Sequence, residues 1–362
     1  MRPHPLALRL ILPCALTGTA HATDVTTCTG VADDRARLAC YDAAAGRKAD
    51  DAPASTAASA PAPATAPVAT TGALPPDPHP QDAFGLPRRE WGDDPLSSRW
   101  ELEADDKHGT FLFRPYKPSY ILPVRWSDAR NPTPTSPRLG TAATSGTLDS
   151  VEAKYQLSFK TKLWEGLFGR HGDLWLGYTQ QSSWQVYNKG NSSPFRETDY
   201  EPELMAVFRT NLDAGAGFKV KMMSLGLNHQ SNGRSQPYSR SWNRIVGQVG
   251  IERGDFALVF RPWLRFAEKT SKDDNPDITS YMGHGDIQAM WQLGEHGFGL
   301  TLRSTLLSGD KTRGAAQFDW SIPIHRNLKG YLQLFTGYGE TLIDYNHRQT
   351  TFGLGVSLVD WL

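Results

Sequence analysis

Beginning at Val151 the chain alternates without interruption, with Val151, Ala153, Tyr155, Leu157 and Phe159 on one parity and Glu152, Lys154, Gln156, Ser158 and Lys160 on the other. A period of two belongs to a β-strand, whose successive side chains leave opposite faces; a helix would scatter the same residues around its axis. The end of the chain repeats the pattern, with Phe352, Leu354, Val356 and Leu358 set against Thr351, Gly353, Gly355 and Ser357. Each such strand has one apolar face that must be kept from water. Two arrangements achieve this: packing between the sheets of a soluble sandwich, or facing lipid around a closed barrel with a wet interior.

Beyond the N-terminus no apolar run approaches the roughly 18 residues a spanning helix requires. The mean hydropathy of −0.46 is that of a polar chain, which a barrel tolerates because half of each strand faces its lumen. Lys plus Arg and Asp plus Glu number 38 each, so no basic surface for nucleic acid is expected. Alternation begins near His108, and at about 20 residues per strand with its connection the remainder accommodates about 12 strands. The expected fold is all-β: a 12-stranded antiparallel transmembrane β-barrel with a disordered N-terminal linker.

The region before the barrel divides by composition. Residues 1–22 read as a signal peptide, with Arg2 and Arg9 around an apolar run and Ala20-His21-Ala22 as the cleavage site. Residues 23–45 hold Cys28 and Cys40, expected to pair as a disulfide once exported. Residues 46–83 are an Ala/Pro/Thr/Ser tract without hydrophobic periodicity, read as a disordered linker. Residues 84–107, with Trp91 and Trp100, form a periplasmic lead-in, and 108–362 the barrel domain.

Candidate chemistry concentrates between Leu225 and Arg244, LGLNHQSNGRSQPYSRSWNR. His229 and Ser231 are two residues apart, so a strand projects both from one face, as a base and its nucleophile require. They share parity with Met223, Leu225 and Leu227. Asn232 to Pro237 is rich in turn formers, and an antiparallel return centred near Gln236 sets Asn243 opposite His229. Asn243 shares parity with Ile245 and Val249. All three candidates therefore lie on apolar faces, which on a barrel look outward at the bilayer. A lone His-x-Ser pair is usually accidental; the Asn and the shared parity give it weight. No G-x-S-x-G elbow is present. The acidic run Asp273 to Asp277 has Ile278 where a calcium-binding helical loop requires Gly.

The block NHQSNGRSQPYSRSWNR, Asn228 to Arg244, resembles the active-site signature of the outer-membrane phospholipase A family. Four further blocks resemble the family in the same order: SSPFRETDYEPEL (Ser192–Leu204), DDNPDIT (Asp273–Thr279), YMG (Tyr281–Gly283) and GYGETLIDYN (Gly337–Asn346). The resemblance implies calcium-dependent hydrolysis of phospholipid and lysophospholipid ester bonds, of phospholipase A1/A2 type. It makes Ser231 the nucleophile, His229 the base, Asn243 the group that fixes the imidazole tautomer, and the Gly233 N–H an oxyanion donor. It implies Ca2+ held by Ser192, the Arg234 carbonyl and Ser239, with Asp274 as a further acidic position. Gln236 stands where another acidic residue is expected. It also implies an active homodimer, embedded in a Gram-negative outer membrane with its N-terminus periplasmic and phospholipid as substrate. The competing reading is a catalytically inactive porin-like or structural barrel, which has no need of His229, Ser231 and Asn243 on one face.

Overall fold

The computed structural model describes residues 25–45, 95–143, 146–167, 171–305, 309–325 and 328–359. The expected signal peptide and linker lie outside them. Two units are distinguished, Met1–Pro75 and Pro76–Leu362. In the first, helix α1 (Asp34–Ala44) is capped by Asp33, whose side chain accepts from the Ala36 N–H at 2.9 Å. A disulfide joins Cys28 to Cys40 with 5.7 Å between Cα atoms, as their compartment suggests.

The second unit begins with helix α2 (Pro95–Trp100), then β1 (Phe113–Pro115), β2 (Ser119–Ser127), and a two-stranded hairpin of β3 (Thr135–Ser136) and β4 (Gly140–Thr141). The long strands follow: β5 (Val151–Leu167), β6 (Gly172–Trp184), β7 (Phe195–Gly215), β8 (Phe218–Ser231), β9 (Ser241–Arg253) and β10 (Phe256–Arg265). After helix α3 (Thr279–Met282) come β11 (Gly285–Leu293), β12 (His296–Ser304), β13 (Gly314–His325), β14 (Leu328–Tyr338) and β15 (Arg348–Val359). Strand β2 and β5 to β15 make the expected 12-stranded barrel. Neighbours pair antiparallel in chain order, β2 with β5, and β15 returns to β2 to close the ring. That closing seam carries two register shifts, at Leu354/Val356 and Ser357/Val359.

Alternation sorts the two sides of the wall. Leu157, Leu176, Leu204, Leu225, Phe260, Leu300 and Leu354 are exposed on the outside, while Glu152, Lys154, Lys160, Glu203, Gln248, Asp319 and Gln333 are buried within. Ion pairs cross the interior. Arg125 bridges Glu152 (2.8 Å) and Glu340, Lys154 reaches Glu340 at 3.2 Å, and Lys117 holds Glu201 and Glu203 at 2.8 Å each. Such charges are costly to desolvate and persist only because each finds partners. A polar cavity of about 190 Å³ remains between Lys117, Glu201, Arg244, Arg261, Asp286 and Glu340.

An apolar cluster packs near each end of the barrel. At the end where the strands join by short turns, α2 enters the lumen: Leu96 and Trp100 pack with Trp175, Met205 and Met222. The Lys160 ammonium sits 3.5 Å from the Trp100 ring centre, and the Leu96 N–H donates to Glu252 at 2.8 Å. Gly250 makes room for this helix, since a Cβ there would lie 2.9 Å from Leu96 Cδ1. Part of the lead-in assigned to 84–107 is thus built into the barrel. At the long-loop end, Trp242, Val246, Trp263, Ile278, Met282, Leu342 and Tyr345 form a second apolar cluster. The β3–β4 hairpin straps across it, with the Thr135 carbonyl accepting from Arg240 (3.0 Å) and Asn346 (3.2 Å).

Candidate active site

The β8–β9 register sets Leu227 against Ile245, Asn228 against Arg244, His229 against Asn243 and Ser231 against Ser241. Leu225 and Leu227, 60% and 53% exposed, fix that parity as outward, while Asn228 at 3% and Arg244 at 5% point inward. His229 and Ser231 therefore stand on the outer wall, separated by two residues of rise, about 6.6 Å along the strand. His229 Nδ1 lies 2.7 Å from Asn243 Oδ1. An amide oxygen only accepts, so in this contact Nδ1 carries the proton and Nε2 is left as the ring's acceptor.

The loop after Ser231 is organised by a buried side chain that the sequence reading passed over. Asn232 Oδ1 accepts from the N–H groups of Arg240 (3.0 Å) and Arg234 (3.3 Å). Its amide donates to the Tyr238 carbonyl (2.9 Å) and to Glu197 Oε1 (2.8 Å). Glu197 in turn accepts the Ile343 N–H at 3.1 Å, tying this loop to the β14–β15 connection. Gly233 follows with φ +63°, and a Cβ there would come within 3.2 Å of Tyr200 Cε2. A side chain is thus excluded twice, by backbone conformation and by the tyrosine. The one sequence cue was a polar residue between the Ser and a turn glycine.

From within the lumen the two strands are braced. Arg244 donates through Nε to Asn228 Oδ1 at 3.0 Å, pairs with Glu201 at 3.1 Å and lies 3.9 Å from the Trp242 ring centre. Trp242 Nε1 donates to Gln230 Oε1 at 2.9 Å. In the β14–β15 connection, burial would raise the Asp344 carboxyl, but Arg196 at 2.6 Å, with Asn131 and Thr341, holds it below the usual carboxylate range.

Among the described residues no group of three or more His, Cys, Asp or Glu side chains could hold a metal. Any cation here would depend on hydroxyl and carbonyl oxygens. Ser192 is exposed just past the turn Lys189–Asn191, with φ +56°. Arg234 lies in the exposed β8–β9 loop, its guanidinium 4.4 Å from the Tyr238 ring centre. Ser239 donates to Asp274 Oδ2 at 2.5 Å. Asp274 also pairs with Arg138 and accepts from Gln236 at 3.3 Å.

A closed barrel with an apolar outer wall and an ion-paired interior is the architecture of an integral outer-membrane protein. Comparison with known proteins narrows the class. The family model for phospholipase A1 matches residues 96–358, from the plug helix to the last strand. A relative from Neisseria meningitidis serogroup B is 41% identical over 271 residues, 74% of this chain and 70% of its own. The solved Salmonella typhi outer membrane phospholipase dimer with bound calcium is 35% identical, with a TM-score of 0.65, over 76% of this chain and 100% of that one. An active-site mutant of Escherichia coli outer membrane phospholipase A, an Asn-to-Ala change, is 34% identical with a TM-score of 0.64, over 74% and 98%. The chain belongs to the phospholipase A1 family. It is a phospholipid ester hydrolase of the Gram-negative outer membrane.

Proposed function

We propose that Ser231, His229 and Asn243 are the catalytic residues, and that they cleave acyl ester bonds of diacyl phospholipids and their lyso forms at the barrel's outer surface. The observation that carries this reading is the 2.7 Å contact between His229 Nδ1 and Asn243 Oδ1 on the outward face that also holds Ser231. Ser231 Oγ attacks the ester carbonyl carbon while His229 Nε2 takes its proton. Asn243 keeps the Nδ1 proton in place, and the Gly233 N–H donates to the tetrahedral oxyanion. Collapse expels the glycerol oxygen, which His229 protonates, and leaves the acyl group on Ser231. Water, deprotonated by His229, then releases the fatty acid.

Asn243 is neutral and stabilises the imidazolium less than a carboxylate would, so additional positive charge is required. Ser192, the Arg234 carbonyl and Ser239 offer hard oxygen donors of the type Ca2+ prefers, but three oxygens fall short of its usual six to eight. The incomplete set fits an ion shared with a second copy, and the related Salmonella typhi protein is a calcium-bound dimer. Bound there, calcium would supply electrostatic stabilisation of the developing oxyanion. Asp274 already holds Arg138, Ser239 and Gln236, and is left out of the shell. We further infer that the N-terminus faces the periplasm.

The test is fatty-acid release from diacyl phospholipids labelled separately at each acyl position, and from a lysophospholipid, with calcium or chelator. Calcium-dependent release from both positions and from the lyso form, absent in Ser231→Ala, is the expected result. Release that survives the substitution would remove Ser231 from the mechanism. A folded, dimeric, calcium-loaded protein without activity would return the passive barrel.

A further inference from the structure

The strap and the β10–β11 connection meet at one carboxylate. Arg138, between β3 and β4, pairs with Asp274 through Nη2, while its Nε donates to the Asp273 carbonyl at 2.8 Å and its Nη1 to the Ser271 carbonyl at 3.3 Å. Ser136 Oγ, two residues earlier, donates to the Asp274 carbonyl at 2.5 Å. The guanidinium is therefore held by three acceptors of one loop, a use of its planar fork that a lysine could not reproduce. Both carboxylate oxygens of Asp274 are engaged: Oδ1 by Arg138 and by Gln236 Nε2 at 3.3 Å, Oδ2 by Ser239 Oγ at 2.5 Å. The side chains of Asp274 and Arg138 are only 12% and 22% exposed, so water does little to screen the pair.

A calcium ion at Asp274 would require carboxylate, Gln236 and Ser239 lone pairs turned toward it. Here Gln236 and Ser239 turn hydrogens toward the carboxylate, and a permanent positive charge already lies on Oδ1. A divalent ion would have to displace Arg138 or accept its repulsion at short range. We propose that Arg138 is a tethered cation standing in place of calcium at Asp274. The carboxylate then takes no metal; it orients the Ser239 hydroxyl and fastens the strap. This inference is separate from the shared ion at Ser192, Arg234 and Ser239, because a hydroxyl donating to Asp274 keeps its oxygen lone pairs free.

The experiment uses the full chain in detergent at a concentration where sedimentation shows monomer, without substrate. Calcium binding is titrated calorimetrically, and thermal unfolding is followed with calcium and with chelator. Four proteins are compared: the parent, Asp274→Asn, Arg138→Gln, and Arg138→Gln with Gln236→Asp. The parent's midpoint is expected to be the same in calcium and chelator, and those of Asp274→Asn and Arg138→Gln to be lower in both. The double variant should recover its midpoint only with calcium and bind the ion in the titration, where the parent monomer gives no binding heat. Calcium binding by the parent monomer, with a raised midpoint that Asp274→Asn removes, would overturn the proposal. Should the Arg138 variants not fold, the parent and Asp274→Asn decide between these outcomes alone. No lipid hydrolysis is read, so a failure of the catalytic assignment leaves this result interpretable.

Discussion

The two faces of the β8–β9 pair are built from opposite chemistry. Outward, His229, Ser231 and Asn243 sit in a field of Leu225, Leu227 and Ile245, tied by a His–Asn contact of 2.7 Å. Inward, one residue away along each strand, Asn228, Gln230, Trp242 and Arg244 are locked to one another and to Glu201. A site on an apolar wall has few polar neighbours to hold it. The pleat solves this by placing the rigid polar frame on the adjacent residues, so the wall that carries the proposed catalytic groups is stiffened from inside.

If this division is correct, substitutions on the outer face should cost rate without stability, and those on the inner face stability before rate. The largest effect is expected for Ser231→Ala, a loss of about 10⁴-fold or more in kcat for ester hydrolysis, with an unchanged unfolding midpoint in detergent. Asn243→Ala should lower kcat by about 10²- to 10⁴-fold, again without a shift in midpoint, because it frees the imidazole to adopt the wrong tautomer. A midpoint falling together with rate would erase the distinction between the faces. Gly233→Ala, an exception to that division because its Cβ strains a backbone at φ +63°, should lower the unfolding midpoint and reduce kcat by about 10²-fold by displacing the oxyanion N–H. Arg244→Ala should destabilise by about 2–4 kcal/mol in reversible unfolding, since Glu201 and Asn228 lose a buried partner, while kcat falls less than tenfold. The smallest effect is a pH dependence. The Asp344 carboxyl is depressed, so its stabilisation is complete above the ordinary carboxylate value near pH 4 and is lost as pH falls through its folded value. Asp344→Asn should therefore flatten the stability curve below about pH 4 and leave its neutral region parallel to the parent's.

The outer face was legible from sequence for the same reason it is sparse. Its residues declare themselves by parity, and parity needs only a strand and a turn: the turn formers after Ser231 placed Asn243 against His229, and the register agrees. The barrel was legible likewise, through the repeated alternation seen at Val151–Lys160 and Thr351–Leu358. The inner frame and both end clusters were not. Leu96 meets Glu252 across 156 residues, and Arg138 meets Asp274 across 136. Neither partner carries a local period, so α2 read only as a charged segment with tryptophans and the strap gave no signal at all. Asn232 escaped notice because its work is done by one amide closing a loop on itself.

The seam between β2 and β15 has a consequence for timing. The first and last strands of the wall are direct neighbours, although more than 200 residues of synthesis separate Ser119 from Arg348. Until the final strand is delivered, β2 and β14 each present a bare edge, and α2, made earlier than any of them, has no enclosed space to fill. The ring can be completed only once β15 has been delivered to β2, so the barrel acquires its finished shape last.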